Sequence, residues 1–264
     1  MVRTLLIRGM LAGVIAGLLV FGFSKVFGEP QVDRAIAFES AMDAARHAAM
    51  GMPAEQPEPE LVSRAVQASY GLFTGVVVFC AAIGGLFALV FAFANGRVGS
   101  LSPRAVSALL AAAGFVAVYV VPTLKYPANP PAVGEADTIG YRTALYFLML
   151  LISVAAMTGA IILRQRLVIR HGAWSAALLA AAAYIAVIAV TVLALPGIDE
   201  VPDGFPAVVL WKFRIASLGM QCVMWASIGL LFGWLTERAM ARGRGFTGSS
   251  AVRNAVRQDG LRSR

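Results

Sequence analysis

Charged side chains are scarce in this chain. They make up 14% of its 264 residues, whereas hydrophobic residues make up 59%. An ordinary globular protein has roughly a quarter of its residues charged. One soluble core of this size cannot bury so much apolar surface, so the excess must face lipid. The composition therefore excludes a soluble enzyme, a nucleic-acid-binding domain and a disordered chain.

Cysteine and histidine are rare as well, with two of each. Cys80 and Cys222 both fall inside apolar runs, so no disulfide framework is implied. The chain has no Walker motif, no H-E-x-x-H and no C-x-x-C, and His47 and His171 form no recognisable nucleophile–base pair. The G-x-G-x-x-G string at residues 243–248 lies in a basic tail without a preceding strand, so it is interpreted as chance. We expect no enzymatic activity and no bound cofactor.

Long uncharged stretches recur along the chain. Each approaches the roughly 20 residues that cross the hydrocarbon layer at about 1.5 Å per residue. Such segments are expected to be helical, because backbone groups in lipid must be satisfied within the segment. The predicted spans are residues 5–27, 70–94, 104–123, 143–163, 173–195 and 214–236. The predicted fold class is an all-α integral membrane protein with six transmembrane helices.

Three regions follow from these spans. Residues 1–236 are predicted to form the membrane domain, within which residues 28–64 are an extracytoplasmic loop that contains a helix. Residues 237–264 are a basic cytoplasmic tail that is expected to be disordered. A signal peptide is the rival interpretation of residues 1–28, but no small-x-small cleavage site follows Phe23.

The distribution of charge predicts the orientation. With six spans, one side carries the N-terminus, residues 95–104, residues 164–171 and the tail, which together hold 14 basic residues and two acidic ones. The other side holds 8 basic and 12 acidic residues. By the positive-inside rule both termini are cytoplasmic, and we expect a bacterial cytoplasmic (inner) membrane. The net charge of +8 therefore reflects the orientation in the membrane. We expect membrane lipid as a partner and expect no binding of nucleic acid.

Two predicted outer loops resemble each other. Residues 121–133 read V-P-T-L-K-Y-P-A-N-P-P-A-V, and residues 195–208 read L-P-G-I-D-E-V-P-D-G-F-P-A-V. An arginine opens the helix that returns after each loop, Arg142 and Arg214, and Arg64 follows the first outer loop. The pattern favours three parallel helical hairpins, with a pathway where the repeats meet. The alternative is that Pro-rich turns and interfacial arginines are simply common at helix ends.

Small residues recur at a spacing of four. Such stripes let helix backbones approach closely in lipid, where packing supplies the driving force. The stripes are Gly9, Gly13 and Gly17 in span 1, Gly71 and Gly75 in span 2, and Gly229 and Gly233 in span 6. We expect tight helix–helix contacts at these positions.

The first outer loop carries the candidate metal ligands. Residues 31–50 have a helical pattern, in which Glu39, Asp43 and His47 are spaced four apart and lie on one face. Met50 follows directly, and the acidic Glu55, Glu58 and Glu60 come after it. Two carboxylates and an imidazole suit a divalent first-row metal. The alternative is an ordinary solvated helix face.

Several motifs together resemble one family. They are G-E-P after span 1, A-I-A-F-E ending at Glu39, and V-P-x-L-K-Y-P-x-N-P-P-A-V-G before a helix with Arg142 and Tyr146. Over residues 1–236 the chain resembles the CbtA family of proposed cobalt transporter subunits. The resemblance implies cobalt uptake linked to cobalamin synthesis, with cobalt ion as the transported substrate. It also implies a small single-span, His-bearing companion subunit of the CbtB type.

The outer arginines leave alternatives open. We predict an outer mouth formed by Arg64, Arg142, Arg214, Lys125 and Tyr126. A ring of arginines repels a cation and suits an anionic ligand better. The preferred interpretation is that acidic neighbours neutralise them, the candidates being Glu29, Glu135, Asp137, Asp199 and Glu200. We therefore expect a subunit that imports a divalent cation, with cobalt preferred. The alternatives are a scaffold subunit without its own pathway, or an importer of an anionic ligand.

Overall fold

The described part of the chain is helical throughout its regular elements. The computed structural model describes residues 2–52, 61–97, 99 and 101–262, with side chains described as far as Ala241. The helices are α1 (Val2–Phe23), α2 (Glu29–Ala49), α3 (Arg64–Val66), α4 (Leu72–Ala94), α5 (Pro103–Gly114), α6 (Val121–Lys125), α7 (Ile139–Ala194) and α8 (Ala207–Arg262). Wide π-helical turns occupy Ser24–Gly28, Gln67–Gly71 and Phe115–Val120.

Five helical segments of the described residues are long and apolar enough to cross a membrane. They are Val2–Ala49, Arg64–Ala94, Pro103–Lys125, Ala136–Ala194 and Ala207–Ala241. The fourth contains two of the six predicted spans. As a straight helix its 59 residues would measure about 88 Å, far more than the roughly 30 Å hydrocarbon layer.

The backbone of α7 breaks at Gly172. Its φ of 74° and ψ of 168° are not helical, and this is a conformation that glycine adopts readily and other residues do not. The legs on either side, residues 139–171 and 173–194, run back along each other. Ser153 Oγ lies 3.0 Å from Tyr184 Oη, whereas in a straight helix residues 31 apart would be separated by about 46 Å. Helix α7 is therefore a helical hairpin.

The first span does not end at the G-E-P motif. Helices α1 and α2 and the turn Ser24–Gly28 form one continuous helix of 48 residues. In the wide turn the N–H of Glu29 donates to the carbonyl five residues back, which gives room to Pro30, a residue that has no N–H and crowds the preceding turn. The turn Phe115–Val120 precedes Pro122 in the same way.

The central packing of the fold is a glycine crossing between α1 and α4. A Cβ on Gly9 would overlap the carbonyl oxygen of Gly84, and a Cβ on Gly13 would overlap that of Cys80. Side chains would force these backbones apart, so the predicted stripe in span 1 is confirmed as a packing surface.

The other glycine stripes differ from each other. A Cβ on Gly229 would crowd Ala111 of α5, and Gly233 also lies against α5, so the stripe in α8 is confirmed. The stripe at Gly71 and Gly75 is wrong, because Gly75 has nothing within 4 Å of its Cβ position and Gly71 meets only its own helix. The four-residue spacing alone therefore does not predict which glycines pack against a neighbouring helix.

Helix α2 lies over the two Pro-rich loops. Ala35 is fully buried in a cluster with Val133 and Phe205, and the rings of Phe38 and Phe205 meet edge to face at 5.0 Å. Beyond Phe38 most residues of α2 are exposed. The loops are therefore capped by the first half of α2, while its second half projects from the body.

The last helix is longer than the sequence suggested. The backbone of α8 is helical as far as Arg262, through the tail for which composition predicted disorder. Alanine and arginine, which recur in that tail, are strong helix formers.

Candidate functional site

The predicted metal ligands lie on the projecting part of α2. Glu39, Asp43 and Met50 are exposed and His47 is half-buried. An ion pair joins Asp43 to Arg46 at 3.9 Å, one helical turn away. No group of three or more His, Cys, Asp or Glu side chains that could hold a metal occurs among the residues the structure describes. Glu55, Glu58 and Glu60 lie outside those residues.

Arg64, at the start of α3, forms ion pairs with α2. Its Nη2 lies 2.6 Å from Glu29 Oε2 and 2.9 Å from Asp33 Oδ1. Glu29 and Asp33 are four residues apart, so they face the same side of the helix. The neutralisation that we expected for Arg64 is thus present, and it joins α2 to the start of α3.

A cavity of about 360 Å³ lies between the two Pro-rich loops. Its polar lining includes Tyr126, Asn129, Arg142, Tyr146, Glu200 and Arg214. Arg64 and Lys125 are not among its lining residues, and Lys125 is half-buried nearby at the end of α6. The structure therefore brings together three of the five predicted mouth residues: Tyr126, Arg142 and Arg214.

Glu200 holds the two loops together. Its carboxylate accepts hydrogen bonds at 2.9 Å from the Glu135 N–H and from the Thr138 hydroxyl, and its carbonyl accepts one from the Gly134 N–H. Arg142 Nε lies 3.2 Å from the same carboxylate. The pKa of Glu200 is lowered, first by the hydrogen bond from the Glu135 N–H and then by the Thr138 hydroxyl and the Arg142 charge. Desolvation, which raises the pKa, offsets this only in part.

Arg142 crosses one loop at close range. Its guanidinium passes over Gly134, where φ is +112° and a Cβ would overlap the side chain. Its Nη2 donates to the Glu135 carbonyl at 2.9 Å. Glycine at 134 is therefore required twice, by the backbone conformation and by the approach of Arg142. The expected neutralisation by Glu200 is present.

Arg214 is held differently. Its Nη2 donates to Asn129 Oδ1 at 2.9 Å, while its Nε is buried and has no hydrogen-bond acceptor in the described part of the chain. Asp199 also lines the cavity but is itself exposed, and the two form no ion pair. The expected carboxylate, Asp199, thus acts on Arg214 only at longer range, without the direct ion pair that Arg64 and Arg142 make.

Sequence reasoning missed Asn129 as the partner of Arg214. The signal was present, because Asn129 stands inside the P-A-N-P-P block, the most distinctive motif of the loop. Tyr126 is also fixed, since its hydroxyl donates to the Pro196 carbonyl at 2.9 Å. Burial first, and then the proximity of Tyr141, raise the pKa of this phenol.

Comparison with known proteins gives one result over nearly the whole chain. A family model described as probable cobalt transporter subunit (CbtA) matches residues 2–237. No curated protein and no solved structure matches.

Proposed function

The chain belongs to the CbtA family of probable cobalt transporter subunits, and from this premise we propose that it is the membrane-embedded subunit of a complex that imports a divalent cation, with cobalt as its preferred cargo. The observation that carries the proposal is the family match, which spans residues 2–237 of a chain with five apolar helical segments suited to a membrane. We place it in a bacterial cytoplasmic membrane.

The proposed topology has six crossings. It counts the two legs of the α7 hairpin separately, each long enough to reach across the hydrocarbon layer. With both termini cytoplasmic, the inner segments carry 14 basic and two acidic residues, as the positive-inside rule requires. The Pro-rich loops, the cavity between them and the projecting part of α2 then face outward.

The proposed collecting surface is the ridge of Glu39, Asp43 and His47, with Met50 at its end. Residues four apart on a helix have Cβ atoms about 5–6 Å apart, so two of these side chains can reach one ion after a change of rotamer. Carboxylate and imidazole ligands suit a divalent first-row metal. We propose that the companion subunit, a single-span His-bearing protein, supplies the remaining ligand.

Uptake of labelled cobalt by whole cells, at low external cobalt, tests the proposal. Cells with the gene should accumulate cobalt faster than cells without it, and Glu39→Gln and His47→Ala should each lower the initial rate. Asp203→Asn is the matched control, because it removes an exposed carboxylate from another outer loop. Equal uptake with and without the gene would reject the transport role, whereas normal rates in both α2 variants would reject only the collecting surface.

The scaffold interpretation stays a second candidate. It is favoured by the finding that the described residues contain no preformed group of three metal-binding side chains. Proteoliposomes containing this chain alone, the companion alone or both would separate the two. Uptake that needs only the companion would make this chain a scaffold.

A further inference from the structure

The half-open cavity between the Pro-rich loops has walls that are joined by hydrogen bonds. Its two walls are joined by the hydrogen bonds of Glu200 and by the bond from Tyr126 to the Pro196 carbonyl. Helix α2 covers the same loops through Ala35. The volume of about 360 Å³ falls at the lower end of the range of roughly 300–1,000 Å³ that small-molecule sites occupy.

The cavity is lined by two arginines and two carboxylates, Asp199 and Glu200, but the two arginines are bound unequally. Arg142 and Glu200 form an ion pair at 3.2 Å, although the buried Arg142 Nε makes no hydrogen bond among the described residues. Arg214 has only the neutral amide of Asn129 as a hydrogen-bond acceptor, and its buried Nε has none among the described side chains and backbone. Asp199, exposed at the rim, favours the Arg214 charge electrostatically but makes no direct ion pair with it. Because Arg214 is half-buried and its Nε lies buried without an acceptor in the described ranges, an anionic oxygen that reached this nitrogen would be favoured.

The remaining lining defines the rest of the ligand. Val133, Ile139, Ile198 and Val201 contribute apolar surface to the cavity, and the Tyr146 ring adds an aromatic wall. The lining is therefore mixed, and its apolar half suits a carbon skeleton attached to the anionic group better than a bare phosphate or sulfate. The planar edge of a guanidinium matches the two oxygens of a carboxylate.

We propose that this cavity binds a small organic carboxylate, with Arg214 as the residue that recognises its anionic group. The site is assigned from the cavity itself and goes beyond the proposed import of a cation. The carboxylate can arrive as a free acid, or as the organic ligand of a metal complex. Both sources share the chemistry that Arg214 recognises.

Calorimetric titration of the purified full chain in nanodiscs, near neutral pH, tests the site with citrate as the probe. Separate titrations use citrate alone, citrate with cobalt, cobalt alone and inorganic phosphate. Arg214→Gln should weaken citrate binding about tenfold or more, the effect of removing a charge-assisted hydrogen bond. Lys212→Gln is the matched control, since Lys212 is exposed two residues earlier on α8, and it should leave binding unchanged.

A second variant guards against misfolding of Arg214→Gln. Val201→Phe leaves both arginines in place and fills the cavity from its rim, so it should also abolish citrate binding. Tighter binding of citrate with cobalt identifies the metal complex as the ligand, and equal binding with and without cobalt identifies the free acid. No saturable citrate binding, stronger binding of phosphate, or unchanged binding in Arg214→Gln and Val201→Phe would each overturn the proposal. Loss of cellular cobalt uptake does not enter this test, so the two proposals fail separately.

Discussion

Replacing Gly84 by alanine should weaken the crossing of α1 and α4. The new Cβ would overlap the carbonyl oxygen of Gly9 and lie 3.0 Å from the Cα and N of Gly13. All of these are backbone atoms, which cannot turn aside as a side chain can. Because ordinary contacts begin near 3.4 Å, the two helices must separate. Overpacking of this kind costs about 1–3 kcal/mol.

Gly75→Ala provides the matched control on the same helix. Nothing lies within 4 Å of the Cβ position at Gly75, so the added methyl group meets no neighbouring helix. Alanine is a better helix former than glycine by about 0.8–1 kcal/mol in peptides. Gly75→Ala should therefore leave stability unchanged or raise it, although both glycines belong to α4 and the chemical change is identical.

Thermal unfolding of the detergent-purified protein, followed by the fluorescence of its four tryptophans, measures the difference. We expect the Tm of Gly84→Ala to fall by several degrees and that of Gly75→Ala to stay level or rise. Gly9→Ala should resemble Gly84→Ala, and the double variant should lose less than the sum, since both changes separate the same pair of helices. A Tm for Gly84→Ala equal to or above that of Gly75→Ala would refute the argument.

Three further predictions concern the Pro-rich loops, the topology and the α7 hairpin. Glu200→Gln should lower the Tm at neutral pH. Because the folded pKa of Glu200 is depressed, its stabilising contribution is fully present above the ordinary value of 4.5 and is lost as pH falls through the folded pKa. The Tm values of the variant and the parent should therefore become equal in acid. Leu61→Cys, at a fully exposed position, should react with an impermeant thiol reagent in intact cells, and labelling only after the membrane is opened would reverse the topology. Gly172→Ala should destabilise the hairpin by about 1–3 kcal/mol, and an unchanged Tm would show that the break does not depend on glycine.

The helical class followed from sequence because it depends on a coarse property. An apolar segment that spans the lipid must satisfy its backbone hydrogen bonds internally, and a helix does so within one segment. The end of the first helix was harder, because Gly28 and Pro30 resemble a terminus. The wide turn lets the helix continue although Pro30 has no N–H to donate. The turn depends on the packing around it, including the hydrogen bond from Ser24 Oγ to Met220 Sδ. Local composition does not encode that.

The arginines show a similar limit at the site. Arg64, Arg142 and Arg214 occupy equivalent places along the sequence, and this equivalence suggested one shared mouth. The continuation of α1 into α2 places Glu29 and Asp33 beside Arg64 and gives it a separate ion pair. Long-range packing decides which helices meet. The sequence could therefore identify the three arginines as candidates but could not show which of them lie together.

Because α1 continues into α2 without a break, Val2–Ala49 is a single helix of 48 residues. Its firmest support is the glycine crossing with α4, and the axial distance from Gly13 to His47 is about 51 Å at roughly 1.5 Å per residue. If the helix tilted as a rigid body by about 3° around that crossing, His47 would move by about 2.7 Å and Val2 would move the opposite way by about 0.9 Å. Because the same helix packs on the Pro-rich loops at Ala35, we expect a displacement of those loops to shift α1 as well.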